Sequence, residues 1–233
     1  MSVAVLETSA QTFDVLEGAL TLPLRGVWSA RLELDADVEV TGPASLVLAR
    51  DDGGTPERFV GTVTRSKLHE GRVKLMLVGG AGKMKTQVLP PRSYVGTPTP
   101  LRLSLVVGDI CHEAGETLAP AAQAALDALL LPRWHRAGVT GAAALNALSD
   151  AGALEGWRLL PDGTVTAGPE TWPAFSPVGF YEQHEDGQLF VIEGAPEAAD
   201  ILPGVTLNGR QISEVVYSVG PKVRVDLFYR EIA

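Results

Sequence analysis

The sequence is poor in cysteine and in long apolar segments. Cys111 is the only cysteine among 233 residues, so a scaffold held by intramolecular disulfides is excluded. The longest apolar runs, such as residues 128–131, are far shorter than the roughly 20 residues that cross a bilayer. The first residues lack the basic and apolar segments of a secretory signal peptide. We therefore expect a soluble protein that is not exported by the usual route.

What the sequence does contain is enough apolar material for a large core. Hydrophobic residues make up 45% of the chain and charged residues 20%, which excludes a disordered protein. The length of 233 residues is sufficient for one large domain or two small ones.

The charge of the chain is negative overall and unevenly distributed. There are 28 acidic and 19 basic residues, a net charge of −9, which argues against general nucleic-acid binding. Residues 57–92 nevertheless contain eight basic and two acidic residues, so this segment carries +6 and the remainder −15. This asymmetry predicts a basic face, unless the bases are only the solvent-facing positions of two strands. The candidate interaction residues are Arg65, Lys67, Arg72, Lys74, Lys83 and Lys85.

The first ninety residues have the pattern of an antiparallel sheet. Apolar and polar residues alternate from Trp28 to Asp35, as in a half-buried strand. Further strands are expected at 44–50, 59–65 and 72–78, with the polar residues 66–71 joining the last two. Several short strands with one apolar face predict a small barrel or sandwich.

A helical region follows a crossing rich in glycine and proline. Ser104 is expected to cap a first helix that runs to about Ala114. A second helix is expected over 121–131, ended by Pro132, and Thr140 is expected to cap a third. A hairpin is predicted around the turn Pro161-Asp162-Gly163.

The last third of the chain returns to strands, predicted at 189–192, 211–219 and 222–229. The fold class predicted from these patterns is α+β and mainly β. An α+β unit is inserted between two β regions.

No motif in the sequence has the complete set of residues and the spacing that a nucleotide-binding, catalytic or metal site needs. Residues 78–86 resemble a phosphate-binding loop, but Leu77 and Met84 occupy positions where such a loop needs glycine and a hydroxyl residue. Cys111 and His112 are adjacent, and on a helix their side chains would point about 100° apart. The four histidines show no zinc-ligand spacing. No catalytic residue, metal or cofactor is predicted, although a carboxylate pair formed only in space, as in a small hydrolase, stays open.

Six short segments resemble the tail hub, or baseplate hub, proteins of tailed bacteriophages and of related gene-transfer and contractile injection particles. In chain order they are LPLRGVW at 22–28, FVGTV at 59–63, VGGAG at 78–82, DICHEAGE at 109–116, WRLLPDGTV at 157–165 and LPGV at 202–205. The segments are spread over most of the chain. They are short structural motifs, and the family has no catalytic residues that could be assigned to them.

The resemblance implies tail-tube-like β-barrel domains with an inserted small α/β domain. The domains expected are a first barrel at 1–92, the insert at 93–175, and a second β domain at 176–233 completed by N-terminal residues. The implied function is a non-enzymatic tail hub in the virion tail, assembled in the host cytoplasm, that connects the tail tube to the central spike or fibre.

The resemblance also implies partners. They are two further copies in a homotrimer, a tail tube or distal tail protein, and a spike or fibre protein. A tape-measure protein or DNA in the lumen is a further candidate, and no membrane insertion is expected. The basic segment is predicted to line the lumen or to contact an acidic neighbour. A tail-assembly accessory module remains the main alternative, and a small hydrolase the other.

Overall fold

The structure is a computed structural model that describes residues 4–49, 54–96, 99–176, 181–184, 188–193, 201–220 and 223–230. Its described residues form seventeen strands and three helices, which confirms the predicted mainly β class. They divide into two compact units. One contains residues 28–79 with most of both ends of the chain, and the other contains residues 25–27 and 80–170. The sequence-based boundary at residue 92 therefore falls inside the second unit.

The first six strands form a closed antiparallel barrel. They are β1 (Ala4–Thr8), β2 (Thr12–Pro23), β3 (Ser29–Asp35), β4 (Gly42–Leu48), β5 (Glu57–His69) and β6 (Arg72–Gly79). Neighbouring strands pair in the order β1, β4, β5, β6, β3, β2, and β2 pairs with β1 to close the ring. Closure leaves no unpaired edge within these six strands.

Alternation along the strands fills the barrel interior. Ala30, Leu32 and Leu34 of β3 are buried, as the sequence predicts. Trp28 is also buried and packs edge-on against Phe59, with ring centroids 5.9 Å apart. Glu33 lies on the outward side of β3, as the alternation predicts, but its side chain is buried there under its basic neighbours on β6.

The β5–β6 connection is tighter than predicted. Strand β5 continues to His69, and the turn consists of Glu70 and Gly71, with φ of 49° and 75°. Both values lie in the left-handed region, as in the two-residue turns that match the twist of a hairpin. Residues 66–69 are therefore part of the ladder and carry side chains on both of its faces.

The second unit contains the three helices and six short strands. They are β7 (Arg92–Val95), β8 (Leu101–Arg102), α1 (Leu103–Glu113), α2 (Pro120–Asp127), β9 (Leu130–Leu131), β10 (Arg133–Arg136), α3 (Gly141–Asp150), β11 (Gly156–Leu159) and β12 (Val165–Gly168). The strands form three two-stranded ribbons, β7 with β10, β8 with β9, and β11 with β12. None of the helices in the described part of the chain combines the length and apolar character needed to cross a membrane.

Two of the predicted helix ends are wrong and one is confirmed. Ser104 does not cap α1; it lies inside the helix, and its hydroxyl donates to Asp127 Oδ1 at 2.5 Å. Helix α2 ends at Asp127, well before Pro132, because the residues that follow pair as β9. The cap at Thr140 is confirmed, since its Oγ1 accepts a hydrogen bond from the Ala143 N–H at 3.3 Å. The 157–167 hairpin is confirmed as β11 and β12.

The last third of the chain builds a sheet onto the barrel through a shared strand. Its strands are β13 (Tyr181–His184), β14 (Leu189–Glu193), β15 (Thr206–Leu207), β16 (Arg210–Val219) and β17 (Arg224–Arg230). Strand β16 pairs with the half of β2 from Gly18 to Pro23, and the order continues through β17 and β14 to β13. Strand β2 therefore belongs to both sheets.

Candidate interaction surface

Four of the six candidate basic residues lie on the outside of the barrel. Arg65 and Lys67 are exposed on β5, and Arg72 and Lys74 are exposed on β6. Lys83 and Lys85 follow the end of β6 and belong to the second unit, so they are not residues of the barrel. The expectation that the whole basic segment forms one face of the barrel is corrected accordingly.

Strand register places two rows of side chains across four strands of this face. One row contains Glu17, Glu33, Lys74 and Lys67, contributed by β2, β3, β6 and β5 in that order. The adjacent outward row contains Ala19, Arg31, Met76 and Arg65. Between the two rows the side chains point to the other side, so the backbone is uncovered there. The rows line a cavity of about 940 Å³.

Glu33 organises the centre of this surface. Its carboxylate accepts from Arg72 Nη1 at 2.7 Å and contacts Lys74 Nζ at 3.1 Å. The hydrogen bond from Arg72, followed by that from Lys74, holds the pKa of Glu33 below its ordinary value. Glu33 is therefore an anion at neutral pH and uses two of the five bases on this face, a count that includes Arg31 of β3.

The other bases on the rows have no such partner. Among the residues that the structure describes, no carboxylate lies within 4.0 Å of Arg31, Arg65 or Lys67. Lys67 is moreover the direct cross-strand partner of Lys74. Like charges placed opposite each other on a sheet repel, so this end of the surface favours an added anion.

Three residues of this surface are not among those predicted from the sequence: Glu17, Arg31 and Glu33. They lie outside residues 57–92, on β2 and β3, and they join the basic residues only through strand pairing. The alternation in β3 does show that Arg31 and Glu33 share a face. It cannot show which strand lies beside them.

The segment that resembles a phosphate loop is already occupied by the protein's own carboxylate. The backbone N–H of Ala81 donates to both oxygens of Glu116, at 3.1 and 2.9 Å, and the N–H of Lys83 also donates to this carboxylate. Gly80 has φ of 63°, and a Cβ there would collide with Glu116. Burial raises the pKa of Glu116.

Cys111 lies on the buried side of α1 and His112 on its exposed side. Burial raises the pKa of the Cys111 thiol to about 12, which keeps it protonated and unreactive at neutral pH. Among the described residues no group of three or more histidine, cysteine, aspartate or glutamate side chains is arranged to hold a metal ion.

A charge cluster in the second unit was also invisible in the sequence. Arg136 of β10 is buried; its Nε and Nη2 donate to the Pro90 carbonyl at 3.1 and 2.8 Å, and Nη2 donates to Glu113 Oε2 at 2.5 Å. Arg92 also donates to Glu113, at 3.0 Å, and contacts Asp109 at 3.1 Å. Each charge has an opposite partner, so this cluster acts as an internal structural network.

Comparison with known proteins finds similarity in structure alone. No protein-family model and no curated protein matches the sequence. A 43 kDa tail protein of prophage MuSo2 from Shewanella oneidensis superposes with a TM-score of 0.63 at 10% identity, over 97% of each chain. A tail protein from Neisseria meningitidis MC58 superposes with a TM-score of 0.63 at 12% identity, over 98% of this chain and 96% of that one.

A third solved structure comes from a secretion system. The E. coli c3393 protein is a component of the type VI secretion system, with structural similarity to the T4 bacteriophage tail proteins gp27 and gp5. It superposes with a TM-score of 0.60 at 10% identity, over 97% of this chain and 77% of that one. The chain therefore has the fold of phage tail proteins and of this gp27-like component, which confirms at the level of fold the resemblance that the sequence indicated.

Proposed function

We propose that the chain is a structural hub of a phage or phage-like tail, which connects the tail tube to the central spike or fibre. The observation that carries the proposal is the match to two tail proteins over 96% or more of both chains. A match of this extent includes the barrel, the insert and the last sheet together. The fold by itself is compatible with many activities, so the extent of the match and the absence of a chemical motif support the structural role.

The proposed assembly is a homotrimer of 73.8 kDa, three copies of the 24.6 kDa chain. Among the described residues, β13 is the terminal strand of the last sheet and has one paired neighbour, β14. An unpaired strand edge needs to be covered or joined to another chain. Closed cyclic symmetry buries such an edge in every copy.

The proposed partners follow from the position of a hub. A tail tube or distal tail protein lies on one side, and a spike or fibre protein on the other. The proposed place of action is the virion tail, and the proposed role is non-enzymatic. An accessory module of tail assembly has the same fold requirements, but it does not have to remain in the finished particle.

Reconstruction of the assembled particle by electron cryomicroscopy tests this proposal. We expect three copies of the chain around the tail axis, between the tube and the spike. Particles from a host in which the gene is deleted should lack the spike or fail to complete the tail. A chain that is absent from finished particles supports the accessory module. Two copies, or any position away from the axis, contradicts the hub.

A further inference from the structure

The cavity on the barrel face has the geometry of a groove. Its walls are the two rows of outward side chains, and successive outward residues of a strand are about 7 Å apart. It crosses four strands, β2, β3, β6 and β5, so it is about 14 Å long at the usual strand spacing. These dimensions fit a few residues of extended chain or one row of side chains.

The two ends of the groove differ in charge. At the β5 end, Arg65 and Lys67 have no carboxylate within 4.0 Å among the described residues. At the β2 end, Glu17 is the only charged side chain among the described residues that line the groove. In the centre, the carboxylate of Glu33 is held by Arg72 and Lys74. A segment that fits this pattern has its carboxylates toward β5.

Carboxylates of a protein segment match the charge pattern of this groove better than the phosphates of a nucleic acid do. The phosphates of a nucleic acid follow one another at close intervals. A nucleic-acid strand lying along the groove would therefore bring phosphates close to the carboxylates of Glu17 and Glu33, which repel them. The net charge of −9 further opposes long-range attraction to a polyanion. A short segment with one or two carboxylates avoids both penalties.

The matching charge is present on this same chain. Residues 57–92 carry +6 while the rest of the chain carries −15, so a second copy offers acidic segments to the groove. A contact between a groove on one copy and a different segment on the next is heterologous, and such contacts form a ring when the rotation between successive copies closes. This is the type of contact that the proposed trimer needs.

We propose that the groove between β2 and β5 binds an acidic segment of a second copy of this chain, with the carboxylates of that segment against Arg65 and Lys67. The contact rests on the proposed trimeric hub and specifies how its copies join. Lys67 and Lys74, which repel each other across the ladder, gain a shared anion in the assembled state.

The test compares the self-association of two charge-reversed variants. R65E/K67E changes the groove, and R102E/R133E makes the same change in charge at two exposed residues of the second unit that are not among the candidate interaction residues. R65E/K67E should fold normally, because K67E places a carboxylate opposite Lys74. Circular dichroism and thermal melting of both variants establish this before association is measured.

Sedimentation and light scattering across protein concentration, at low and high salt, give the dissociation constant. We expect the wild type and R102E/R133E to reach 73.8 kDa, three times the chain mass of 24.6 kDa. R65E/K67E should raise the dissociation constant by about tenfold or more, equivalent to about 1.4 kcal/mol. High salt should also raise the dissociation constant of the wild type, because salt screens the charges across the contact. Equal constants for the two variants, or a wild type that stays monomeric at the highest concentration in low salt, would overturn the inference.

Carbodiimide coupling in a mixture of isotopically light and heavy protein identifies the occupant. We expect Lys67 to couple to an aspartate or glutamate of the other isotopic form. Coupling of Lys67 only within one copy would overturn the inference. Binding of a duplex oligonucleotide that R65E/K67E abolishes and R102E/R133E preserves would assign the groove to nucleic acid instead. None of these outcomes decides whether the chain lies on the tail axis, so the hub proposal is tested separately by the particle reconstruction.

Discussion

The barrel and the inserted unit place their charges in opposite ways. On the barrel, Arg65 and Lys67 are exposed on the outer face without a described carboxylate partner. In the insert, Arg136 is buried against Glu113 and the Pro90 carbonyl, and Glu116 is enclosed by a glycine-rich loop.

The difference separates charges that hold the fold from charges that are available to another molecule. A buried ion loses its hydration and needs local partners, so its removal damages the unit that contains it. An exposed ion keeps its hydration and contributes little to folding. The barrel face can therefore be changed to test binding, whereas the insert's charges test stability.

The largest loss of stability is expected when the tryptophan in the core of the insert is replaced. Trp157 is buried, and its Nε1–H donates to Asn146 Oδ1 of α3 at 2.8 Å. Trp157→Ala should lower the free energy of unfolding by about 3–5 kcal/mol, measured by urea denaturation followed by circular dichroism. Trp157→Phe keeps an aromatic ring and should lose less.

Hydrogen exchange shows where the loss occurs. If the insert is separable in stability from the barrel, Trp157→Ala should speed exchange in α3 and β11 and leave β3 and β6 unchanged. A loss below about 1 kcal/mol, the size of an ordinary surface change, would contradict the assignment of Trp157 to the core.

The buried arginine comes next. Arg136→Met keeps side-chain length but removes the bonds to Pro90 and Glu113, and should cost about 3 kcal/mol. Arg133→Met, an exposed position on the same strand β10, should change stability by no more than about 0.5 kcal/mol. Arg136 Nη1 is buried without a described partner. An Arg136→Met variant as stable as the wild type would show that this unpaired group offsets the whole network.

A pair of glycines sharpens the comparison of packing. A Cβ at Gly79 in the barrel would lie 2.6 Å from Trp28 Cε2 and Nε1, so Gly79→Ala should cost about 1–3 kcal/mol. A Cβ at Gly108 of α1 would meet nothing within 4 Å. Gly108→Ala should instead stabilise the chain by up to about 1 kcal/mol through helix propensity. Thermal melting of both variants distinguishes them, and changes of the same sign would contradict the packing described here.

The smallest effect is a dependence on pH. Burial raises the pKa of Glu116 above its ordinary value of 4.5. The folded chain therefore holds this proton more tightly than the unfolded chain. The stability contributed by the protonated group is complete below 4.5 and is lost as pH rises through the folded-state pKa.

Glu116→Gln cannot lose a proton, so its stability relative to the wild type should increase as pH rises from about 4.5 toward neutrality. Urea denaturation at a series of pH values measures this difference. Parallel curves for the two proteins, or a difference that shrinks with rising pH, would show that the loop stabilises the charged carboxylate more than burial penalises it.

The sequence was sufficient where the relevant physics is local. Alternation identified β3 and β6 because a strand repeats every two residues, and Thr140 was identified as a cap because its hydroxyl bonds only three residues ahead. Ser104 does not act as a cap because its hydroxyl donates a hydrogen bond to Asp127, 23 residues away. The end of α2 was missed because Leu130 and Leu131 find a strand partner at β8.

The sequence by itself determined the mainly β class, the inserted helices and the presence of a basic segment, all of which depend on residue type and short-range period. Only the tertiary structure decided that the barrel closes through β1 and β2, that β2 also carries the last sheet, and that Glu17, Arg31 and Glu33 complete the surface around Arg65 and Lys67. Strand register sets these arrangements. It depends on pairing between residues far apart in the chain, which no local pattern records.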